Sequence, residues 1–243
     1  MAKYYYDLHT HSCLSPCGDD DNTPNNIAGM ASLSELDIVA LTDHNSAKNC
    51  PSFYIAAEKY GIIPIAGMEL TTAEDIHVVC LFEYLSDALK FNEYVDSNRY
   101  HIKNKPEFFG EQLILDCEDN VVGKEEDLLT NASFISIDDV KKIVEDFNGV
   151  AYPAHIDRDS NGIISVLGSI PPDTEFKLFE LHDGSKKEEF SRKYGIDINN
   201  FIVSSDAHYL TSIKDKENFF ELDCERDPET VRKKLFELLR NKK

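Results

Sequence analysis

The chain has 243 residues, 42% of them hydrophobic and 29% charged, enough apolar material for a core without stapling. Asp and Glu total 45 against 25 Lys and Arg, a formal net charge of −20, which repels anionic membranes and excludes a non-specific binder of long nucleic acid. Six cysteines are too sparse for a secreted disulfide framework, the first residues lack an apolar signal core, and no stretch reaches membrane-spanning length, so a reduced cytoplasm is the expected compartment.

Short runs rich in Ile, Val, Phe and Tyr recur and read as strands buried on both faces. The first, 4–8, leads into Asp7-Leu8-His9-Thr10-His11. Thr23 then caps a helix opened by Pro24 and carried by Ile27, Met30 and Leu33. The run 37–42 ends in Thr42-Asp43-His44, and 62–66 leads into Gly67-Met68-Glu69. The run 76–82 differs because His77 stands near its start, so this strand either runs oppositely or skirts the site.

Residues 108–131 break the alternation, with 112–116 and 120–122 predicting a β-hairpin around Cys117-Glu118-Asp119. This insertion forms either one wall of a pocket or a surface hairpin without a role. Ser136 caps a helix carrying Ile137, Val140, Ile143, Val144 and Phe147, which Gly149 is expected to end. The runs 150–153, 176–181 and 201–204 lead to Ala154-His155, His182 and Ser205-Asp206-Ala207-His208. Asp227-Pro228 opens a last helix over 229–240. The alternation predicts an α/β fold with a parallel sheet, and chemistry at strand ends is how a β/α barrel builds its site.

Six of the eight histidines, with four acids, stand in these motifs. Imidazole with carboxylate suits zinc, manganese or iron, and the ligands are too many for one tetrahedral ion. They point to a multinuclear centre and metal-assisted hydrolysis.

Taken in order, the six motifs resemble those of the PHP (polymerase and histidinol phosphatase) superfamily of metal-dependent phosphoesterases, from Asp7 to about His208. The resemblance implies a distorted seven-stranded, TIM-like β/α barrel holding two or three divalent ions, here one domain over 1–243 with the hairpin inserted. It implies that His9, His11, Glu69 and Asp206 hold one ion, that Glu69 bridges to a second held by His77 and His155, and that His44 and His208 hold a third. A further ligand of the third ion, expected shortly after the His-x-His, falls at Cys17 within Ser15-Pro16-Cys17-Gly18-Asp19-Asp20-Asp21. Cys17 favours zinc there, whereas Asp19 or Asp21 favours manganese, iron or magnesium, and the choice stays open. Asp43 matches a position beside the metals, from which it orients His44 or a bound water.

Metals alone do not hold a phosphate in line, so a cation is expected nearby. Arg158, three residues after His155, is the first candidate, its alternative being a surface ion pair with Asp157 or Asp159. Lys48 is the second choice, with Arg99 and His101 behind it; the alternative for these is a solvated surface. His101 and His182 read as structural, although His182 could line the pocket mouth. Tyr4-Tyr5-Tyr6 reads as core and edge, and no G-x-S-x-G elbow accompanies Ser204 and Ser205.

The expected protein is a hydrolase of phosphoric esters that cleaves a small phosphomonoester or short phosphodiester by metal-bound hydroxide, with a nucleotide or short oligonucleotide favoured. It is expected to act alone, without polymerase domains. Beside it stand a histidinol-phosphate-type phosphatase, an inactive metal-binding regulatory module, and an amidohydrolase-type hydrolase, the last disfavoured because no lysine sits at a strand end to bridge two ions.

Overall fold

The apolar runs and helix caps resolve, in a computed structural model, into ten strands and eight α-helices among the described residues, 1–242. The first part of the chain alternates β1 (Ala2–Thr10), α1 (Pro24–Leu33), β2 (Ile38–Leu41), α2 (Cys50–Tyr60) and β3 (Ile63–Thr71). There follow β4 (His77–Phe82), α3 (Leu85–Asp96), the short α4 (Pro106–Phe109), β5 (Leu113–Leu115) and β6 (Val121–Lys124). The remainder comprises α5 (Ile137–Asp146), β7 (Gly149–Pro153), α6 (Ile163–Leu167), β8 (Phe179–Leu181), α7 (Lys187–Tyr194), β9 (Phe201–Val203), β10 (Phe219–Leu222) and α8 (Pro228–Arg240). Three predicted caps form: Thr23, Ser136 and Asp227 each accept a backbone N–H three residues on.

One sheet runs in the order β10-β1-β2-β3-β4-β7, and β8 pairs with β9 in parallel apart from it. Strands β1, β2 and β3 are parallel, whereas β4 is antiparallel to both β3 and β7. That reversal explains His77. It pairs with Thr71, so the first residue of β4 lies at the edge where β3 finishes.

Side chains alternate along the strands between two apolar clusters. Val39, Leu41, Met68, Val78 and Cys80 pack with helices α1, α2, α3 and α5. Tyr6, Leu8, Ile65, Val79 and Tyr152 pack with Val231, Leu235, Phe236 and Leu239 of α8. Burial on both faces is why these strands read as continuous apolar runs.

The ladder is a six-stranded half-barrel and not a continuous ring of seven. Where the ring would continue, isolated bonds stand in: Ile156 N–H to the Glu180 carbonyl at 2.9 Å, and a parallel bridge in which His11 N–H donates to the Ala207 carbonyl at 2.9 Å and Ala207 N–H to the His9 carbonyl at 3.4 Å. Gly149 is not a helix stop. It opens β7, where a Cβ would lie 2.6 Å from Val144 and 2.7 Å from Phe82, while the left-handed residue is Asn148 at φ 59°. The hairpin β5–β6 forms and is tied to the barrel by Asn49, whose side chain bonds the Leu113 carbonyl and the Leu115 N–H.

Candidate metal centre

Strand ends bring eight ligand-type side chains together. His9 and His11 leave β1, His44 follows β2, Glu69 lies late in β3, and His77 begins β4. His155 follows β7, while Asp206 and His208 follow β9. His155 and Asp206 both take left-handed backbone, at φ 27° and 50°, turning sharply off their strands.

Three groups of ligand atoms cluster closely: His9, His11, Glu69 and Asp206; His44, Glu69 and His77; and His11, His44 and His208. Glu69 is the hub. Its Oε1 lies 2.9 Å from His77 Nδ1, 3.1 Å from His155 Nε2 and 3.4 Å from His9 Nε2. Its Oε2 lies 3.0 Å from His44 Nδ1 and 3.2 Å from His11 Nε2. Asp206 Oδ1 stands 3.1 Å from His11 Nε2 and 3.3 Å from His9 Nε2.

Hydrogen bonds fix the tautomers of three rings. His9 Nδ1 meets the buried Glu180 carboxylate at 2.9 and 3.1 Å, so Nδ1 carries the proton. Ser15 spends its one hydroxyl proton on Asp43 Oδ1 at 2.7 Å, so it accepts from His11 Nδ1 at 2.9 Å. His208 Nδ1 donates to the Asp206 carbonyl at 2.9 Å. Each Nε2 is thereby left as a lone pair, the form that binds a metal.

This geometry fits divalent ions. The Nε2 atoms of His9 and His11 face one another at 3.1 Å, so a positive charge has to stand between them, a proton in the metal-free protein and a divalent ion when one is bound. Glu69 Oε2, Asp206 Oδ1, His44 Nδ1 and His155 Nδ1 are buried without a hydrogen-bond partner. Charges respond to the crowding. Burial would lower His11, but its bonds to Asp206 and Glu69 raise it to about 9. Burial opposes ionisation of Glu69, yet His77, His9 and His44 hold it well below its usual range. Burial and the nearby imidazoles lower His44, and burial with His11 takes His208 down to about 4. Imidazoles held neutral by burial are the form a metal needs.

Cys17 and Asp19 lie outside the three groups, and His11 stands with His44 and His208 instead. The Cys17 thiol is accessible, yet the surrounding protein with Glu69 and Asp206 pushes its pKa up to about 12. Asp19 is turned into its own loop, accepting the Asp21 N–H at 2.9 Å, while its backbone N–H donates to the His208 carbonyl at 3.0 Å. Asp43 is buried and bonded to Ser12 and Ser15, so it reaches His11 through Ser15. Lys48 is paired with Glu125 and does not line the metal cavity. Arg158 does line it and bonds Asp206 Oδ2 at 2.5 Å, so it pairs with neither Asp157 nor Asp159.

Sequence reasoning missed Glu180. It also receives the His155 N–H at 3.1 Å and so anchors two of the strand ends. It lies inside the apolar run Leu178-Phe179-Glu180-Leu181, and an acid buried in such a run was the available signal. Asp7 ties β1 to the segment after β9 by accepting the Ser205 N–H at 3.0 Å.

The model of the PHP domain family matches residues 7–159. No curated protein matches the chain. Among solved structures, the lesion-specific endonuclease Q of Pyrococcus furiosus is similar with a TM-score of 0.64 and 18% identity, over 96% of this chain and 55% of that one. An endonuclease Q bound to a 27-mer duplex with an abasic lesion gives a TM-score of 0.58 and 17% identity, over 86% and 50%. A candidate metal-dependent phosphoesterase of Bifidobacterium adolescentis gives 0.57 and 16%, over 84% and 88%. The chain thus spans about half the length of the endonuclease Q chains.

Proposed function

The chain belongs to the PHP domain family, and from that premise we propose that it is a metal-dependent phosphoesterase whose substrate is a small phosphomonoester or short phosphodiester, with a nucleotide or short oligonucleotide preferred. The observation that carries this reading is charge. The cavity at the ligand cluster measures about 140 Å³ and takes the phosphoryl end, so the remainder of the substrate meets the outer surface of the chain. A chain of net charge −20 offers a long polyanion no favourable surface, whereas a single phosphate can be drawn in by a local positive centre.

The residues divide the work. His9, His11, Glu69 and Asp206 would hold one ion; His44, His77 and Glu69, with His155 beside them, would hold a second; His208, His11 and His44 would offer a third position. Bound divalent ions supply positive charge for phosphate oxygens and acidify a water. Arg158, on the cavity wall, binds a phosphate oxygen. Glu180, Ser15 and the Asp206 carbonyl keep imidazole protons on the outward nitrogens. Asp43 acts through Ser15 and His11.

A second reading makes the substrate body a nucleic-acid strand, favoured by the fold shared with endonuclease Q. One experiment separates the two. Protein loaded with manganese or with zinc is offered p-nitrophenyl phosphate, 5′-mononucleotides, 5′-phosphorylated tetranucleotides and a duplex with an abasic site. Turnover of the small esters and not of the duplex is expected. Preference for the duplex would overturn the small-substrate reading, and no turnover of any ester by metal-replete protein would remove the phosphoesterase assignment.

A further inference from the structure

Arg158 is held at two points. Its Nη1 donates to Asp206 Oδ2 at 2.5 Å and its Nη2 to His182 Nδ1 at 3.3 Å. A guanidinium has five donors and no acceptor, so His182 Nδ1 must be the acceptor and the ring is the neutral Nε2–H tautomer. Burial and the neighbouring cations Arg158 and Lys214 lower the pKa of this imidazole, in agreement with a neutral ring.

The backbone of His182 is itself fixed. Its backbone N–H donates to Asp157 Oδ1 at 2.8 Å, and its backbone carbonyl accepts from Lys214 Nζ at 2.5 Å. Asp157 is buried at the side chain and also meets Lys186 Nζ at 3.3 Å. The histidine therefore offers Arg158 an acceptor on an anchored stretch of backbone beside the cavity. The two oxygens of Asp206 have separate surroundings: Oδ1 faces His9 and His11, and Oδ2 takes the arginine.

We propose that His182 is a positioning residue, holding the Arg158 guanidinium so that it joins the ligand Asp206 to the substrate phosphate. Two of the five guanidinium hydrogens are committed, and three remain on a side chain that lines the cavity. Without the imidazole acceptor, Arg158 keeps its charge and its bond to Asp206 but is free to rotate about that single contact. Phosphate capture then weakens, whereas ligands and ions stay in place. This inference rests on the reading of the cavity as a phosphate site.

The test compares His182→Ala, His182→Asn and His182→Gln in metal-loaded protein. Asn places a carbonyl oxygen close to where Nδ1 sits, whereas Gln carries its acceptor further out. The readouts are the affinity for inorganic phosphate by calorimetry, KM and kcat on the best small ester, and metal content. His182→Ala should weaken phosphate binding and raise KM roughly tenfold, about the worth of one hydrogen bond to a charged group. Metal content should hold and kcat should change little; Asn should restore most of the loss and Gln should not. Unchanged KM and phosphate affinity in an active His182→Ala protein would overturn the inference and leave the phosphoesterase reading intact. Equal defects in Asn and Gln would overturn it too, since they would assign the effect to packing. Should Ala fail to fold, the Asn and Gln pair decides alone. If wild type bound phosphate with this pattern but cleaved no ester, the inference would stand and the reading of the reaction would fall.

Discussion

The inner and outer imidazoles of the centre are built differently. His9 and His11 each have a dedicated partner behind the ring, Glu180 and Ser15, and their Nε2 atoms converge on Asp206 and Glu69. His155 turns Nε2 to Glu69 and has a buried Nδ1 with no hydrogen-bond partner, while His44 and His77 turn Nδ1 to Glu69 with no acceptor behind either ring among the described residues. Ligands with fixed tautomer and orientation bind metal more tightly. The contrast teaches that the inner position is preorganised, whereas the outer one depends on the ion to order its own rings.

The largest expected effect breaks both positions at once. Glu69→Ala removes the carboxylate common to them, and His9→Ala removes an inner ring; either should bring turnover to background with the fold largely kept, as read by activity and circular dichroism. Wild-type turnover in either variant would refute the ligand assignment. Glu180→Gln removes the charge behind His9 while keeping an amide oxygen that can still accept the His155 N–H. Inner-ion affinity should fall about 10- to 100-fold by chelator competition, and in wild type the outer ion should leave first. Simultaneous loss of both ions would erase the distinction.

Stability against pH sharpens the contrast further. The metal-free fold raises His11 from 6.5 to about 9, so this stabilisation is full below about pH 6.5 and is lost as pH rises through 9. Metal loading displaces those protons and strengthens as they leave. Calorimetric Tm values of loaded and metal-free protein should therefore separate between pH 6.5 and 9, and a constant gap would count against an inner site that exchanges protons for metal. Lys48→Ala should have the smallest effect, under about twofold in KM, because its ammonium is paired with Glu125 near a surface where such pairs contribute little. A large rise in KM would return Lys48 to the phosphate.

Strand-end chemistry was legible because every ligand follows or opens an apolar run, and the period of those runs survives burial on both faces. Thr23, Ser136 and Asp227 were legible as caps for local reasons. Helices α2, α3 and α7 were not singled out, and neither was β10, which pairs with β1 across more than two hundred residues of sequence. Glu180 escaped, and the contact of His182 with Arg158 was not foreseen beyond a place at the pocket mouth, because both depend on which strand lies beside β7; the pairing of Lys48 was hidden because Glu125 is distant in sequence. Gly149 shows the converse: a glycine after a helix suggests a stop, but here close packing on Val144 and Phe82 demands it.

The left-handed backbone at His155 and Asp206 sets a trade-off between stability and activity. A residue with a side chain in that region costs of order 1–3 kcal/mol, tolerated where surrounding contacts impose it. Both positions therefore carry a conformational cost in order to aim a side chain at the cavity. His155→Gly would relieve strain that His155→Ala keeps, so of two inactive proteins the glycine variant is expected to be the sturdier. A search for thermostable variants would be drawn to these two residues first, and each gain found there would be taken from the metal centre.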